Sequence, residues 1–576
     1  MPGFYISNIF SDKKIDNIFN EKSVFQTFEN KRFDVKRNTI NKFLADKVFE
    51  KNDSFVIIVE GVVLNKKKLM SDYIKESFFE TIISMYLKQG EEFFGAFRGT
   101  FSGALYDKKK NKWIIYTNHF GDKPVFYFSN GKEFIIASDM QWIVNTLKEK
   151  EIKYSLNRKA MYNLLSFGFM VDDCTLVTEI KRLGAGQYIN YTTSLLVKSY
   201  HNFVNTVDIP VSEKEIISEL NTKFTNAIRL EFEKDIEYNY QHLAQLSGGL
   251  DSRMTVWAAD VLGYHDVLCT TFTQSNKLEE KIAKEVALKL NKEHMIKTLD
   301  AANFMKDIDD AVKMNHALSM YLGVAHGNSM NKWLDFDKLG LLHTGQIGDV
   351  AVGTFSNKTK HVKVTQLKGA YSKKLIKLSV DEFSSYENEE MFLLYTRAFR
   401  GALCSHIAIQ NYTEVTSPFL NVELLEYCLS IPLKYRLNHS LYFDWIIQEY
   451  PDASKIKWEK TNAYITDNNF FVRLKFLFGK CNHLDIMKYF AKKFNIKNNI
   501  ISKRDNNSMN PVDYWLINNE RLQESFSRYF VDNIENSIYD AELRGDISNL
   551  FLKGNGTEKI LALTALAGVK LFFGDK

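Results

Sequence analysis

Apolar and polar positions change period along the chain. Up to about residue 204, short apolar runs are broken by turn residues. Ser54–Val63 reads as a strand, and Gly99–Asp107 and Lys112–His119 predict a hairpin across Lys108–Asn111. Val125–Phe128 and Phe134–Ala137 predict a second hairpin across Ser129–Lys132, with helices at Phe78–Gln89 and Asp139–Lys148. The polar stretch Asn202–Glu213, with Pro210, predicts a linker. Beyond it the period lengthens. Ile216, Leu220, Phe224, Ile228 and Phe232 recur at i, i+4 and predict a helix over Val211–Phe232. Strands at Leu243–Leu246, Val267–Thr273 and Gly340–His343 then alternate with helical stretches at Arg253–Leu262 and Leu278–Leu290. Such alternation implies a parallel sheet with right-handed crossovers. Arg397–Pro432 reads as helical, as do Val512–Glu520, Gln523–Phe530 and Thr557–Phe573, while the Lys- and Asn-rich Asn495–Asn507 predicts an exposed loop. The expected division is 1–204, 205–460 and 461–576.

Ligands of parallel α/β sheets sit at the carboxyl ends of strands. Three strand ends here carry candidate chemistry. The first is Leu246-Ser247-Gly248-Gly249-Leu250-Asp251-Ser252, a strand breaking into a glycine turn at a helix start. Turn and helix N–H groups there converge on a spot suited to a phosphate. Gly248 and Gly249 remove side chains that would hold a phosphate away, and Ser247 and Ser252 offer hydroxyls. Asp251 would repel a phosphate, so its expected task is to hold Mg²⁺. No Gly-Lys-Ser/Thr follows and no third glycine is present, which excludes a Walker loop and a dinucleotide fingerprint. The second strand end is Thr271-Phe272-Thr273. The third is Thr344-Gly345-Gln346-Ile347-Gly348-Asp349, whose Asp349 could share a metal with Asp251.

These segments carry a family resemblance. Ser247-Gly-Gly-Leu-Asp-Ser252 is similar to the pyrophosphate-binding loop of ATP-pyrophosphatases. Phe120-Gly-Asp-Lys-Pro-Val-Phe-Tyr127 resembles the Phe-Gly-x-Lys-Pro-Leu-Tyr-Tyr hairpin of class II glutamine amidotransferase domains, and Ala137-Ser-Asp139 their Ala-Ser-Glu. Leu183-Gly-Ala-Gly-Gln187 resembles their closing segment. The two domain types occur in this order in asparagine synthetases. Glu414-Val-Thr-Ser-Pro-Phe-Leu-Asn421 is similar to that family's Glu-x-Arg-x-Pro-Phe-Leu-Asp. The resemblance implies an α+β Ntn-type αββα sandwich, then an α/β parallel-sheet ATP-pyrophosphatase domain with a helical C-terminal region. It also implies ATP and Mg²⁺ as cofactors. Adenine would meet backbone at Thr271 and Phe272, phosphates the Leu246–Ser252 loop with Thr344 and Gly345, and the metal Asp251 and Asp349.

The departures from the family fall where its chemistry is done. The glutaminase nucleophile is a cysteine after Met1; this chain has Pro2, followed by Gly3. The glutamine-gripping Asn-Gly-Glu aligns with Glu60-Gly61-Val62, and Asn118 stands at an aspartate. A thiol nucleophile needs the sulfur itself, so glutamine hydrolysis is expected to be lost. In the synthetase half, Gln346 replaces an acidic residue and Val350 another, and Leu437–Ile446 lacks the family's lysine. Lys457 and Lys460 are the nearest substitutes. The expected protein is an ATP-dependent, AMP-forming carboxylate–amine ligase, similar to β-lactam synthetases and lasso-peptide cyclases, which use an amine carried by the substrate. Its expected role is natural-product, peptide or glycan tailoring. Alternatives are an ammonia-dependent asparagine synthetase and a catalytically silent nucleotide- or partner-binding relative.

Composition narrows this picture only slightly. The chain has 576 residues, 45% of them hydrophobic, with a net charge of +5, which gives no case for a nucleic-acid partner. The apolar Ile560–Phe573 is too short for a membrane span and carries Lys570. Lys13 and Lys14 interrupt the start before any long apolar run, so no signal peptide is expected. Five cysteines without a C-x-x-C pair suggest free thiols and a cytoplasmic setting. A carboxylate substrate and an amine donor are the expected small-molecule partners, with a homodimer or biosynthetic partner proteins as further options.

Overall fold

The computed structural model describes residues 2–12, 15, 22–28, 31–205, 212–365, 368–377, 385–467, 509–536 and 538–574. In the first part of the chain, short strands pair into two six-stranded antiparallel sheets. One runs in the order Ile180–Arg182, Phe126–Ser129, Phe134–Ala137, Gly3–Ser7, Asp34–Thr39, Val24–Phe28. The other runs Leu195–Ser199, Gln187–Tyr191, Lys112–Thr117, Phe101–Asp107, Phe55–Gly61, Val48–Lys51. The sheets face each other across Phe4, Ile6, Val35, Val56, Ile58, Trp113 and Ile136. The unbroken apolar run of Phe55–Gly61 has a physical reason. Val56 and Ile58 fill the space between the sheets, while Ile57 and Val59 point outward under the helix Phe78–Gln89, so both faces are buried. That helix starts where Ser77 accepts a hydrogen bond from the Glu80 N–H at 3.1 Å. Helices Met140–Glu149 and Arg158–Phe167 cover the other outer face, which completes the αββα sandwich.

The second part is built on a five-stranded parallel sheet. Its order is Glu293–Thr298, Val267–Thr273, Gln241–Gln245, Leu339–His343, Val415–Thr416. The long helix Glu213–Glu237, started by a reciprocal Ser212–Glu215 capping box, packs along this sheet. It also fixes the sheet's register chemically. Asp235 binds His242 Nδ1 at 2.9 Å, His343 Nε2 at 2.8 Å and the Leu341 N–H at 2.7 Å. His343 immediately precedes Thr344, so this buried network anchors the loop that carries Asp349.

Two elements depart from the sequence expectation. Arg397–Pro432 is not continuously helical. A π-helical stretch, Leu394–Ala402, leads into helix Cys404–Ile409, then the strand Val415–Thr416, then helix Val422–Ser430. A two-residue buried strand has too little length for alternation to reveal it. It exists because Leu342 N–H donates to Glu414 O and Thr344 N–H to Thr416 O. A further helix, Ala541–Lys553, stands between the expected C-terminal helices. The last helix, Gly556–Phe573, shares one apolar core with Met140, Ile143 and Leu164 of the sandwich as well as with Ile308 and Tyr321 of the second part. The C-terminal region thus closes across both parts. The Asn495–Asn507 expectation lies outside the described residues. Among the described residues no helix is long and apolar enough to cross a membrane.

Candidate active site

The strand Gln241–Gln245 ends one residue before the glycine turn, and helix Leu250–Val261 begins one residue after it. The helix has Gly249 at its N-cap with no side-chain cap, which leaves its first N–H groups free to meet an anion. Ser252 closes the loop. Its hydroxyl accepts from the Ser247 N–H at 2.9 Å and lies 2.8 Å from Ser247 Oγ. Ser247 Oγ in turn accepts from the Gly249 N–H at 3.2 Å.

The Thr344–Asp349 loop is pressed against this turn, and glycines make that possible. A Cβ on Gly345 would lie 2.3 Å from Ser252 N, and one on Gly348 would lie 2.7 Å from Asp251 Cγ. Thr255 Oγ1 also donates to Thr344 O at 3.2 Å. The sequence offered the two loops as separate motifs, and the structure brings them into contact. Gly345→Ala is therefore expected to displace the Ser247–Ser252 loop. Isothermal titration with ATP–Mg²⁺ should show affinity at least about tenfold weaker, from overpacking of ~1–3 kcal/mol. Unchanged affinity would mean that the contact does not shape the phosphate site.

Asp251 and Asp349 converge as the sequence suggested. Asp251 is half-buried and accepts from the Tyr442 hydroxyl at 2.8 Å. Burial, then the neighbouring Asp349 charge, push its carboxyl up to about 7. Asp349 opens a π-helical turn, Asp349–Gly353, and is about half exposed. A carboxylate pair strained by mutual repulsion and backed by hydroxyls is a fitting donor set for a hard cation such as Mg²⁺.

Of the two candidate lysines, one reaches the site. Lys460 Nζ lies 3.4 Å from Asp349 Oδ2, whereas Lys457 Nζ stands 5.8 Å over the Tyr464 ring. The Lys460–Asp349 pair is half exposed on both sides, so it is weak and leaves the ammonium free to turn to a phosphate. The choice between these lysines is set by Arg253, which the sequence reading did not single out. Arg253 is fully buried and donates to Ile456 O at 3.0 Å and Lys457 O at 2.7 Å, with longer contacts to Ala453 O and Gly248 O at 3.4 Å. It fastens the 453–460 segment to the phosphate loop.

The remaining candidates line the neighbouring strand ends. Thr271 Oγ1 donates to Leu246 O at 2.5 Å and meets His294 Nε2 at 2.8 Å. Phe272 stacks on His326 with ring centroids 4.8 Å apart. Thr344 Oγ1 lies 3.2 Å from His406 Nε2. Phe272, His326, Thr344, Gln346 and Ser405 together wall a small cavity of about 60 Å³. A second acidic pair, missed from sequence, flanks Gly248. Burial, then Glu459, push Glu279 up to about 7, and Glu279 accepts from Thr273 Oγ1 at 3.0 Å. Burial also pushes Glu459 up. Glu279 was visible only as one polar residue of an amphipathic helix, and Glu459 only as a neighbour of Lys460.

In the sandwich, the positions aligned with a glutaminase site are engaged internally. Pro2 is buried. Glu60 accepts from Thr39 Oγ1 at 2.7 Å and lies 3.4 Å from Arg37 Nε. Asn118 donates to Asp122 at 2.6 Å and accepts from the Gly121 N–H at 3.0 Å. Glu414, from the second part, enters between Lys47 (3.1 Å) and Lys123 (2.8 Å), all fully buried. The described cysteines, Cys174, Cys269, Cys404 and Cys428, are free, and burial raises each thiol.

Parts of the chain are similar to known proteins. Residues 43–201 match the family model for a glutamine amidotransferase domain. Glutamine-hydrolysing asparagine synthetase 1 of Bacillus subtilis (strain 168) is 23% identical over 275 residues, 45% of this chain and 42% of that protein. A Methanocaldococcus jannaschii protein, provisionally named glutamine-hydrolysing asparagine synthetase 1, is 23% identical over 425 residues, 69% of each chain. The B. subtilis match thus spans about two fifths of that relative's length. Among solved structures, the B. subtilis glutamine phosphoribosylpyrophosphate amidotransferase aligns over 69% of this chain and 78% of that one, at 9% identity and a TM-score of 0.21.

Proposed function

Starting from a distant relationship to the asparagine synthetases, we propose that this chain is an ATP-dependent ligase that makes an amide bond without hydrolysing glutamine. The observation that carries the reading is the convergence of Asp251, Asp349 and Lys460 beside an uncapped helix start at the ends of parallel strands. ATP lies with its β- and γ-phosphates on the Ser247–Ser252 N–H groups and its adenine toward the Thr271–Thr273 strand end. Mg²⁺, held by Asp251 and Asp349, supplies charge neutralisation of the triphosphate. A substrate carboxylate attacks the α-phosphorus, giving an acyl-adenylate and pyrophosphate. Lys460 and the loop N–H groups stabilise the charge that builds on the departing pyrophosphate. An amine then attacks the acyl carbon and AMP leaves. The cavity walled by Gln346, Ser405 and His326 is the site this reading gives to the acyl group.

Two features support loss of glutamine hydrolysis. No thiol stands at Pro2, and the side chains at the glutamine-gripping positions are consumed by Arg37, Thr39 and Asp122. The amine is then one the substrate carries, or free ammonia. Gln346, which has an amide where the relatives' motif has a carboxylate, favours an amine that arrives already nucleophilic. The tailoring role in natural-product, peptide or glycan chemistry follows from that amine source.

The test is exchange of labelled pyrophosphate into ATP, with Mg²⁺ and a panel of amino acids, peptides and sugar acids. Acid-dependent exchange with AMP as the nucleotide product is expected, and glutamine should remain unhydrolysed, even after Pro2→Cys. Formation of ADP would sink the adenylation step. Glutamine hydrolysis by the unmodified chain would sink the reading of Pro2.

A further inference from the structure

One cavity has no residue of the phosphate loop in its lining. It measures about 490 Å³, well within the range of small-molecule sites, and opens at the seam between the sandwich and the π-helical stretch Leu394–Ala402. Two arginines stand in its wall. Arg182 is 2% exposed, and its Nη2 donates to Gly121 O at 2.6 Å. Its Nε and Nη1 have no hydrogen-bond partner. The adjacent Cys404 thiol is kept neutral by burial, so it brings no compensating charge. Arg400 enters from the π-helical stretch, and among the described residues no ion pair reaches either guanidinium. Asp172 and Asp173 also line the cavity. Asp173 holds Lys181 at 3.0 Å, and Asp122 is bound by Asn118 and His406.

Two arginines thus face one cavity with no carboxylate of the described residues in direct ion-pair contact with either. Burial first, and then the field of Arg400, lower the Arg182 guanidinium to about 10. A buried, unpaired charge costs several kcal/mol, which an anion seated between the two guanidinia would relieve. Flat aromatic rings, Tyr127, Tyr386, Tyr395 and Phe399, share the wall with polar side chains that include Gln187 and Asn202. The Tyr395 hydroxyl accepts from the Phe203 N–H across the seam at 2.9 Å. Long π-helical segments are rare and gather at functional sites, and this one supplies Tyr395, Phe399 and Arg400 together.

We propose that this cavity is a binding site for a small organic oxyanion with a flat apolar body, a carboxylate or a phosphate monoester, clamped between Arg182 and Arg400. The site is separate from the ATP site, and its existence does not depend on the ligase reading. Isothermal titration of the full chain with 4-hydroxyphenylacetate and with phenyl phosphate distinguishes the two anion classes, with acetate and inorganic phosphate as body-less controls. At least one aromatic probe is expected to bind more tightly than its control, and saturating ATP–Mg²⁺ should not displace it. Arg400→Ala, at a half-buried position, should weaken that binding about tenfold or more, the loss of one charge-assisted contact. Arg182→Gln should do the same where circular dichroism reports a native fold. Absence of binding by both aromatic probes, competition by ATP, or unchanged affinity in Arg400→Ala would overturn the proposal.

Discussion

Asp251→Asn is expected to abolish pyrophosphate exchange while making the folded protein more stable. The two effects share one cause. Asp251 is half-buried beside Asp349, and desolvation followed by that neighbouring charge raise its carboxyl to about 7. The ordinary value of an unfolded aspartate is near ~3.9. Between those values the folded chain binds more protons than the unfolded one, so stability falls as pH rises through this window. Above about pH 7 the full cost of an ionised Asp251 is present. An amide removes that cost and keeps the shape, and it still accepts the Tyr442 hydroxyl, which lies 2.8 Å away. The thermal midpoint at pH 8 should therefore rise in the variant, and the loss of stability between pH 5 and about 7 should flatten. Exchange should fall by at least ~10²–10³-fold, because a preorganised charge on the reacting phosphates is removed. Exchange at the unmodified rate would refute the metal assignment. A lowered midpoint would mean that Asp251 is not strained by Asp349.

How much of this site the sequence revealed depends on the range of the contacts that build it. Ser247–Ser252 was legible because its chemistry is local: a strand, two glycines and a helix start. Phe78–Gln89 was legible because Ser77 and a regular apolar period mark the same boundaries. Asp349 was legible as a motif at a neighbouring strand end, and so was its nearness to Asp251, but the packing that sets that nearness was not. That closeness rests on Gly345 and Gly348, whose missing side chains are recognisable only once the two loops face each other. Val415–Thr416 was read as helix because its reason to be a strand lies in Leu342 and Thr344, some seventy residues away by chain number. The final helix was visible from its composition. Its shared core with Met140 and Leu164 was not, since amphipathic periodicity names a buried face but never what covers it.

Arg253 is the clearest such case, and replacing it should disable the enzyme without touching a reacting atom. Its guanidinium is fully buried in the helix that follows the phosphate loop. Here it turns away from the loop's mouth, and its hydrogen bonds go to the carbonyls of Ile456 and Lys457, with Ala453 and Gly248 at the limit of range. Burial lowers this side chain to about 10, so the fold bears a desolvated charge there in order to hold the 453–460 segment. That segment carries Glu459 to Gly248 and Lys460 to Asp349. Arg253→Met would fill the volume but leave those carbonyls without donors, at roughly 1–3 kcal/mol for each buried group. Arg253→Lys keeps the charge but has one nitrogen, which cannot span acceptors on both Ile456 and Lys457 as the planar fork does. Both variants should show faster amide hydrogen exchange across 453–463, with the phosphate-loop helix less affected. Pyrophosphate exchange should drop about 10–100-fold, since a reacting group displaced by ~1 Å costs on the order of 10². Full activity in Arg253→Met, together with unaltered protection of 453–463, would show that Lys460 reaches Asp349 by some other restraint.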